Sequence, residues 1–306
     1  MQTMGDPKII WQICDGRRGH ENQSAGLIRA LSKKIPVEVM RLELNQHKAS
    51  WWQAIRGRFP IDPSSRKPDL IIAAGSQTHA TLLAVGRSTR APTILIMSPP
   101  RGLTPFFDLC VVPAHDQRKG TNIIETTGAM NIVEASLDKD AKSGLFLIGG
   151  SSQHHHWDEA SLLRQISTIV SSNPELQWEL TTSRRTPAST TEKLLSLQGN
   201  QLSVIPVEET DADWLPRRLG RSANVWVTED SVSMVYEALS SGAKVGLLPV
   251  PRKTETSRII RGLDSLKKSN HILSYSENQT DLTTFKCPPP LKEAQRIAEI
   301  VVERFF

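Results

Sequence analysis

The chain has 306 residues, of which 38% are hydrophobic and 23% charged, a balance typical of a soluble globular protein with about two domains. It contains no run of about 18 uncharged apolar residues, and its first residues lack the basic start and apolar stretch of a secretory signal, so neither a membrane-spanning nor an exported protein is indicated. The cysteines Cys14, Cys110 and Cys287 are too widely spaced for a zinc motif or a disulfide framework, which favours a cytoplasmic location.

In the first half, short runs rich in Ile, Val and Leu alternate with amphipathic stretches. This is the pattern of parallel strands that are buried on both faces and covered by helices. The predicted strands are 8–14, 37–42, 69–74, 93–97, 109–112 and 123–125, and the predicted helices are 22–34 and 77–86.

The same alternation begins again after a polar stretch at 133–143. Here the predicted strands are 144–148, 178–181, 202–205, 224–227 and 244–248, and the predicted helices are 158–171, 190–197, 231–241 and 257–268. A final amphipathic helix, 294–306, follows three prolines. The sequence therefore predicts two α/β domains, 1–138 and 139–290, and a terminal segment, 291–306, that can pack back on the first domain.

The net charge of +5 is concentrated in the first half. Residues 1–135 carry 17 Lys and Arg against 11 Asp and Glu, whereas residues 136–306 carry 20 against 21. This excess indicates an anionic partner, although a solvated basic surface explains it equally well. Within 48–67, Trp51 and Trp52 stand among arginines, a mixture that fits either peripheral contact with an anionic membrane surface or a packed surface helix. Nucleic acid is not an expected partner, because few aromatic residues accompany the cations.

Strand-to-helix turns are the places to look for a ligand, since ligands of open parallel sheets bind beyond the carboxyl ends of the strands. The turn after strand 8–14 reads Asp15-Gly16-Arg17-Arg18-Gly19-His20. Its glycines permit close approach to the backbone, and His20 stands where a neutral imidazole can accept a proton. The spacing differs from Gly-x-Gly-x-x-Gly, which disfavours a nicotinamide cofactor. A helix-capping role for His20 is the alternative.

Two turns of the second domain carry residue types that bind phosphate. Gly149-Gly150-Ser151-Ser152 offers backbone N–H groups and hydroxyls, although such a loop is also a common plain turn. Thr181-Thr182-Ser183-Arg184-Arg185 adds hydroxyls and guanidinium groups, and a solvated turn explains it equally. The three histidines at 154–156 point different ways and lack a spaced carboxylate, so we expect a solvent-facing cluster and no metal site.

The most distinctive turn is the segment 228–242, from Thr228 to the glycine that precedes strand 244–248. The start of its helix offers donors and a partial positive charge to a diphosphate, with Ser231 and Ser233 as contacts and Glu237 further along for ribose hydroxyls. Glu229 and Asp230 conflict with this interpretation, because free carboxylates would repel a phosphate. A purely structural helix is the alternative.

Together these turns resemble glycosyltransferases of the B-type fold, in which two Rossmann-like domains face each other across a sugar-nucleotide cleft. The glycine loops and the segment 231–242 are similar to those of the bacterial peptidoglycan N-acetylglucosaminyltransferase. A closer resemblance is to the mitochondrial-fission "elongated mitochondria" family and its bacterial relatives. It rests on segments in the same order: Asp15-Gly16 with Gly19-His20, Pro113-x-His115-Asp116, Thr127-Gly128-Ala129-Met130-Asn131, Gly149-Gly150 and Thr228-x-Asp230-Ser231-Val232-Ser233-Met234.

The resemblance implies a cytoplasmic, metal-independent glycosyltransferase that uses a nucleotide-diphospho-sugar as donor and needs no cofactor. His20 would act as the base and Asp15 would orient it. The donor side would comprise Gly150, Ser151, Ser152, Thr182, Ser183, Arg184, Thr228, Ser231, Ser233 and Glu237. The acceptor side would comprise Gly16, Gly19, Gly75, Ser76, Gln77 and Arg101. Because plant members are associated with recruitment of the fission machinery, a non-catalytic scaffold with the same fold is the alternative.

Overall fold

The computed structural model describes residues 6–60, 66–255 and 257–306. They form two compact units. Unit 1 comprises the chain up to Ile132 together with Glu293–Phe306, and unit 2 comprises Val133–Lys292. These divisions lie a few residues from those expected from the sequence, 138/139 and 290/291.

Unit 1 is built on a parallel sheet of six strands in the order β2-β1-β3-β4-β5-β6. The strands are β1 (Lys8–Cys14), β2 (Val37–Glu43), β3 (Leu70–Ala74), β4 (Thr93–Ile96), β5 (Leu109–Pro113) and β6 (Ile123–Thr126). The helices that connect them are α1 (Arg18–Ser32), α2 (Trp51–Arg56) and α3 (His79–Thr89). Because every pairing in the sheet is parallel, all the strands end at the same edge.

Alternation along β1 shows how the sheet is buried on both faces. Ile9, Trp11 and Ile13 belong to a core that includes residues of α2 and α3, whereas Ile10 belongs to a second core that includes residues of α1. Successive side chains of a strand point to opposite faces, so a continuous apolar run requires helices on both sides. This is the arrangement that the apolar runs predicted.

Unit 2 has a second six-stranded parallel sheet, in the order β12-β11-β10-β7-β8-β9. Its strands are β7 (Asp140–Leu147), β8 (Gln177–Thr181), β9 (Leu202–Ile205), β10 (Ser222–Thr228), β11 (Lys244–Leu248) and β12 (Ile272–Ser274). Its helices are α4 (Glu159–Ser172), α5 (Ala188–Leu195), α6 (Trp214–Arg221), α7 (Val232–Ser240) and α8 (Arg258–Lys268). Glycines in two strands make room for indole rings, since a Cβ on Gly144 or Gly246 would lie 2.2 Å from the ring of Trp178 or Trp226.

The last helix, α9 (Glu293–Phe305), returns to unit 1. Its buried residues Ala294, Ile297, Ala298 and Val301 join the core that contains Leu27 and Leu31 of α1. Arg296 donates to the backbone carbonyl of Glu125 at 2.6 Å, and the Glu293 carboxylate accepts from the N–H of Thr127 at 3.1 Å. Unit 1 is therefore completed by residues from the far end of the described chain. None of the described helices meets the length and hydropathy that a bilayer crossing requires.

Candidate functional site

In unit 1, Asp15 and His20 form a hydrogen-bonded pair at the carboxyl end of β1. Nδ1 of His20 lies 2.7 Å from Oδ2 of Asp15, whose side chain is fully buried, while the imidazole keeps part of its surface exposed. The N–H of Arg17 donates to the other Asp15 oxygen at 3.0 Å. Because a carboxylate only accepts hydrogen bonds, the neutral imidazole carries its proton on Nδ1 and has its lone pair on Nε2. The pair therefore has the geometry of an oriented general base.

The turn after β3 lies against this imidazole. Gly75 has a φ of +91°, and a Cβ at this position would lie 2.2 Å from Nδ1 of His20. The neighbouring strands β1 and β3 thus bring the predicted base beside one of the predicted acceptor-side turns. The other acceptor-side candidates are exposed: Gly16, Gly19, Ser76, Gln77 and Arg101.

A second polar cluster at this edge, which was not predicted as a site, joins the ends of β4 and β5. The Ser98 hydroxyl donates to Oδ2 of Asp116, and Nε2 of His115 lies 3.9 Å from Oδ1 of the same carboxylate. Met97, just before Ser98, has a φ of +80°, a conformation that non-glycine residues seldom adopt. The only sequence signal for this cluster was the segment Pro113-x-His115-Asp116.

One group of residues in unit 1 has the composition of a metal site. A thiol and carboxylate atoms of Cys14, Glu21 and Glu43 lie within 4.8 Å of one another. Arg41 already supplies positive charge there, at 2.8 Å from Glu21 and 3.1 Å from Glu43. Burial raises the pKa of the Cys14 thiol to about 12, so the thiol stays protonated at neutral pH. The group is therefore best described as an ion-pair cluster beside a buried thiol.

In unit 2, the glycine loop that follows β7 is held against the end of β10. The N–H of Gly149 donates to Oγ1 of Thr228 at 2.7 Å, and the N–H of Gly150 donates to Oδ2 of Asp230 at 3.0 Å. A Cβ on Gly149 would lie 2.1 Å from Oγ of Ser231, and one on Gly150 would lie 2.0 Å from the carbonyl oxygen of Arg185. Both glycines are thus required by close packing.

Arg185 joins three of the predicted turns. One guanidinium nitrogen donates to the carbonyl oxygens of Gly150 and Ser151, both at 3.1 Å. The other donates to Oδ2 of Asp230 at 2.8 Å and to Oγ of Ser231 at 3.0 Å. Arg184, the residue predicted for this role, makes none of these contacts among the described residues, although both arginines keep exposed surface. Two adjacent arginines in a turn give no sequence signal that tells which one points into the site.

The two acids that conflicted with phosphate binding are both paired. Glu229 is buried and accepts hydrogen bonds from Arg252, and Nζ of Lys267 lies 3.4 Å from the same oxygen. Asp230 is paired with Arg185 and also accepts from the Gly150 N–H and the Ser231 hydroxyl. Each of these carboxylates is therefore paired with a cation within unit 2, and Oδ1 of Asp230 has no hydrogen-bond partner among the described residues.

Beside these groups lies a pocket of about 590 Å³. Its walls include Ser151, Ser152, His155, Arg185, Asp230 and Lys253. Nζ of Lys253 lies 3.0 Å from the carbonyl oxygen of Ser152, and it adds a second cation to the wall. Lys253 was not predicted, although the turn after β11 would have been found by applying the rule of strand ends to that strand as well.

His155 is buried in the wall of this pocket, whereas its neighbours His154 and His156 are half-buried and exposed. Its Nδ1 lies 3.3 Å from the Ser152 hydroxyl, and its Nε2 has no hydrogen-bond partner among the described residues. Burial lowers the pKa of His155, so the ring is neutral at pH 7. The expected solvent-facing cluster is therefore wrong for this histidine, because its ring packs under the loop.

The remaining donor-side candidates divide into exposed and structural residues. Ser233 is exposed in the first turn of α7, and Glu237 is buried on the same helix. Oγ1 of Thr182 accepts from the N–H of Val207 at 3.0 Å, and the Ser183 N–H donates to Thr186 at 2.8 Å, so these two shape their own turn. Thr228 and Ser231 are buried and hold the glycine loop and Arg185.

Comparison with models of known protein families matches nearly the whole chain to one family. The model of the family described as "Mitochondrial fission ELM1" matches residues 18–305. Among curated proteins, none matches this sequence significantly.

Similar solved structures span nearly the whole chain. MurG from Acinetobacter baumannii has a TM-score of 0.55 at 12% identity, covering 97% of this chain and 100% of that one. UDP-GlcNAc 2-epimerase from Neisseria meningitidis bound to UDP-GlcNAc has a TM-score of 0.55 at 12% identity, covering 97% and 98%. The heptosyltransferase WaaC of E. coli with ADP has a TM-score of 0.50 at 11% identity, covering 96% and 99%. At this identity the likeness shows the fold, and the predicted pair of Rossmann-like domains of the glycosyltransferase B type is confirmed.

Proposed function

Because this chain belongs to the mitochondrial fission ELM1 family and has a glycosyltransferase B-type fold, we propose that it transfers a sugar from a nucleotide-diphospho-sugar to a hydroxyl acceptor. Proteins of similar fold are described with UDP-GlcNAc and ADP bound. The observation that carries the proposal is the pocket of unit 2, where Arg185 and Lys253 stand beside the Gly150–Ser152 loop at the ends of the strands. The position and the residue types are those of a diphosphate site.

In this proposal the phosphates contact Arg185, Lys253 and the hydroxyls of Ser151 and Ser152. Ser231 acts through Arg185, since its hydroxyl is buried against that guanidinium group. The exposed start of α7, at Ser233, supplies further donors, and Glu237 on the same helix accepts hydrogen bonds from ribose hydroxyls. Because the leaving diphosphate gains charge in the transition state, these preorganised donors lower the barrier, and the loss of one costs about 3 kcal/mol.

The proton chemistry is assigned to unit 1. Nε2 of His20 takes the proton of the acceptor hydroxyl while the oxygen attacks the anomeric carbon and the nucleoside diphosphate leaves. Asp15 keeps Nδ1 protonated, so it fixes the tautomer that leaves Nε2 as the acceptor, and it stabilises the imidazolium that forms. A general base of this kind contributes roughly 10²–10⁴ in rate.

Nucleotide binding is the first test. We expect UDP or ADP at millimolar concentration to raise the melting temperature of the whole chain, because a ligand of the folded state stabilises it by mass action. Arg185→Ala should abolish this gain. Arg184→Ala is the matched control, since it removes the same charge one residue away at an exposed position. If no nucleoside diphosphate shifts the melting temperature, or if both variants respond like the wild type, the proposed donor site is wrong.

Turnover tests the base. With a UDP-sugar donor, His20→Gln should lower the rate of UDP release by about 10²–10⁴ and leave the nucleotide-induced shift in melting temperature intact. His47→Gln, at an exposed position outside the site, is the control and should keep full activity. A rate that survives in His20→Gln would contradict the assignment.

A scaffold that recruits other proteins is the second candidate, because the family is described by mitochondrial fission. Fold alone does not separate the two candidates. A scaffold would leave the melting temperature unchanged across a nucleotide panel, whereas the proposed enzyme would respond to at least one member of it.

A further inference from the structure

Unit 1 exposes a compact apolar surface around α2. Trp51, Trp52, Ile55 and Phe106 are 49%, 68%, 65% and 52% exposed. These four side chains, called here the aromatic patch, are half of the eight large hydrophobic side chains that are exposed in the described part of the chain. Isolated apolar residues on a surface need no explanation, but a cluster that contains two adjacent tryptophans marks an interaction surface.

Arg87 of α3 ties the members of the patch together. Its guanidinium group donates to the carbonyl oxygens of Ala54 and Ile55, at 2.7 and 3.2 Å, and lies 5.5 Å from the ring centre of Phe106. Arg56 lies 5.2 Å from the ring centre of Trp52. The end of α2 and the loop that carries Phe106 are therefore neighbours, and the patch is one surface with cations stacked on its rings.

A basic pocket of about 640 Å³ adjoins the patch. Residues of its wall include Gly57, Arg58, Phe59, Arg87, Ser88 and Arg90. Arg58 and Arg90 are exposed, and neither forms an ion pair with any described residue. Since Arg87 bonds only to carbonyl oxygens and an aromatic ring in the described structure, the pocket brings together three guanidinium groups without a described carboxylate partner.

The sequence around the patch also carries an excess of positive charge. Residues 44–107, which include α2, α3 and Phe106, contain eight Lys and Arg against two Asp and Glu. The face has aromatic side chains at its centre and, beside them, arginines for which the described residues supply no carboxylate partner. Such a face is complementary to an interface that is apolar inside and negatively charged outside. Indoles and snorkelling arginines are suited to the headgroup region of a bilayer.

We propose that this face of unit 1 docks on a membrane surface that contains anionic phospholipids. The aromatic patch enters the interfacial region, and the pocket formed by Arg58, Arg87 and Arg90 takes a headgroup phosphate. The contact is peripheral, and it stands independently of the proposed sugar transfer because the donor pocket belongs to unit 2.

Vesicle co-sedimentation with the full chain tests the proposal. We expect binding to vesicles of 70% phosphatidylcholine and 30% phosphatidylglycerol in 50 mM salt, weaker binding in 500 mM salt, and little binding to pure phosphatidylcholine, because screening weakens charge attraction and the zwitterionic surface offers none. Equal binding to both kinds of vesicle, or no binding to either, would overturn the proposal.

Variants locate the surface. Since each arginine near an anionic membrane contributes about fivefold in affinity, Arg58→Glu with Arg90→Glu should weaken binding about 25-fold or more, whereas Arg58→Lys with Arg90→Lys should retain most of it. The double variant Trp51→Ala and Trp52→Ala should also lose binding. The matched control is Arg164→Glu with Lys268→Glu, which makes the same charge change at exposed positions of unit 2.

Two results would contradict this assignment even if the wild type binds. One is an equal loss of binding in the control pair. The other is concentration-dependent dimerisation of the wild type in sedimentation equilibrium that the Trp51→Ala and Trp52→Ala variant abolishes, because the patch would then be covered by a second copy of the chain. Unchanged melting temperatures of the variants exclude misfolding as the cause of lost binding.

Discussion

At the scale of single residues, the lack of a side chain at Gly75 leaves room for the ring of His20, the candidate base, beside Asp15. Replacement of Gly75 by Ala would force a Cβ into a site 2.2 Å from Nδ1, at a φ of +91° that favours glycine. We expect Gly75→Ala to displace the imidazole from Asp15 and to lower the free energy of unfolding by about 2–4 kcal/mol, measured by urea denaturation.

Gly102→Ala is the control for backbone strain, since Gly102 has a φ of +87° and open space around its Cβ position. It should cost only about 1–2 kcal/mol. If the two alanine variants are equally destabilised, the contact with His20 contributes nothing beyond strain.

His79 gives a prediction on pH. Burial lowers the pKa of His79, which packs near the ring of Phe107 with the ring centres 6.0 Å apart. At a pH below about 6.5, the ordinary pKa of histidine, the imidazole of His79 binds a proton in the unfolded chain but less readily in the folded one. The free energy of unfolding therefore falls as the pH falls. His79→Gln should remove this pH dependence of the free energy of unfolding, which amounts to at most about 1.4 kcal/mol per pH unit.

The measurement is urea unfolding between pH 7.5 and 5. His47→Gln, at an exposed position, should keep the wild-type pH profile. Identical slopes for wild type and His79→Gln would show that His79 titrates normally in the folded protein.

At the scale of elements, α9 allows the burial of an apolar side chain to be compared with an exposed ion pair on the same helix. Ile297 is completely buried in the core that includes α1, whereas the ion pair of Glu299 with Lys34, just beyond the end of α1, is largely exposed. Ile297→Ala should therefore cost about 2–5 kcal/mol, and Glu299→Gln less than about 0.5 kcal/mol, both measured by urea unfolding. A larger effect of Glu299→Gln would contradict this ranking.

The number and spacing of buried apolar residues also explain which elements the sequence could predict. In α4, Leu162, Ile166 and Ile169 are buried at helical spacing, so the helix is evident from the pattern. α6 was not predicted because only Trp214 and Leu219 are buried among arginines and a proline, which its first turn tolerates. The three-residue strand β12 is too short to give a period.

The candidate site was predictable in position but not in its contacts. Parallel strands end at one edge, so the turns at Asp15, Gly150 and Thr228 could be chosen from the sequence. Which of Arg184 and Arg185 contacts the glycine loop depends on the backbone conformation of their turn, because this sets the direction of each side chain. The neutralisation of Glu229 depends on Arg252 and Lys267, which are remote in sequence, so no local pattern could show it.

At the scale of the whole molecule, unit 2 is continuous in sequence and unit 1 is not. We expect residues 133–292 to fold as an isolated fragment, because the core of that unit needs no other segment. Residues 1–132 alone should expose the face that α9 covers, bind the dye ANS and aggregate, since Leu27 and Leu31 would meet water. The measurements are circular dichroism and ANS fluorescence.

Addition of a peptide of residues 293–306 should restore the 1–132 fragment by covering this face. The same peptide with Ile297→Ala is the control and should restore it poorly. A 1–132 fragment that is stable and dye-free by itself would show that α9 is an accessory to unit 1.

The return of α9 has a consequence for synthesis. Domains usually fold in the order in which the ribosome delivers them. Here the first sheet is translated first but cannot bury its second apolar face until residues 293–305 emerge, by which time the whole of 133–292 is already available. Unit 2 is thus free to fold first, and residues up to Ile132 must wait, with an apolar face that a chaperone would recognise, until residues 293–305 have been translated.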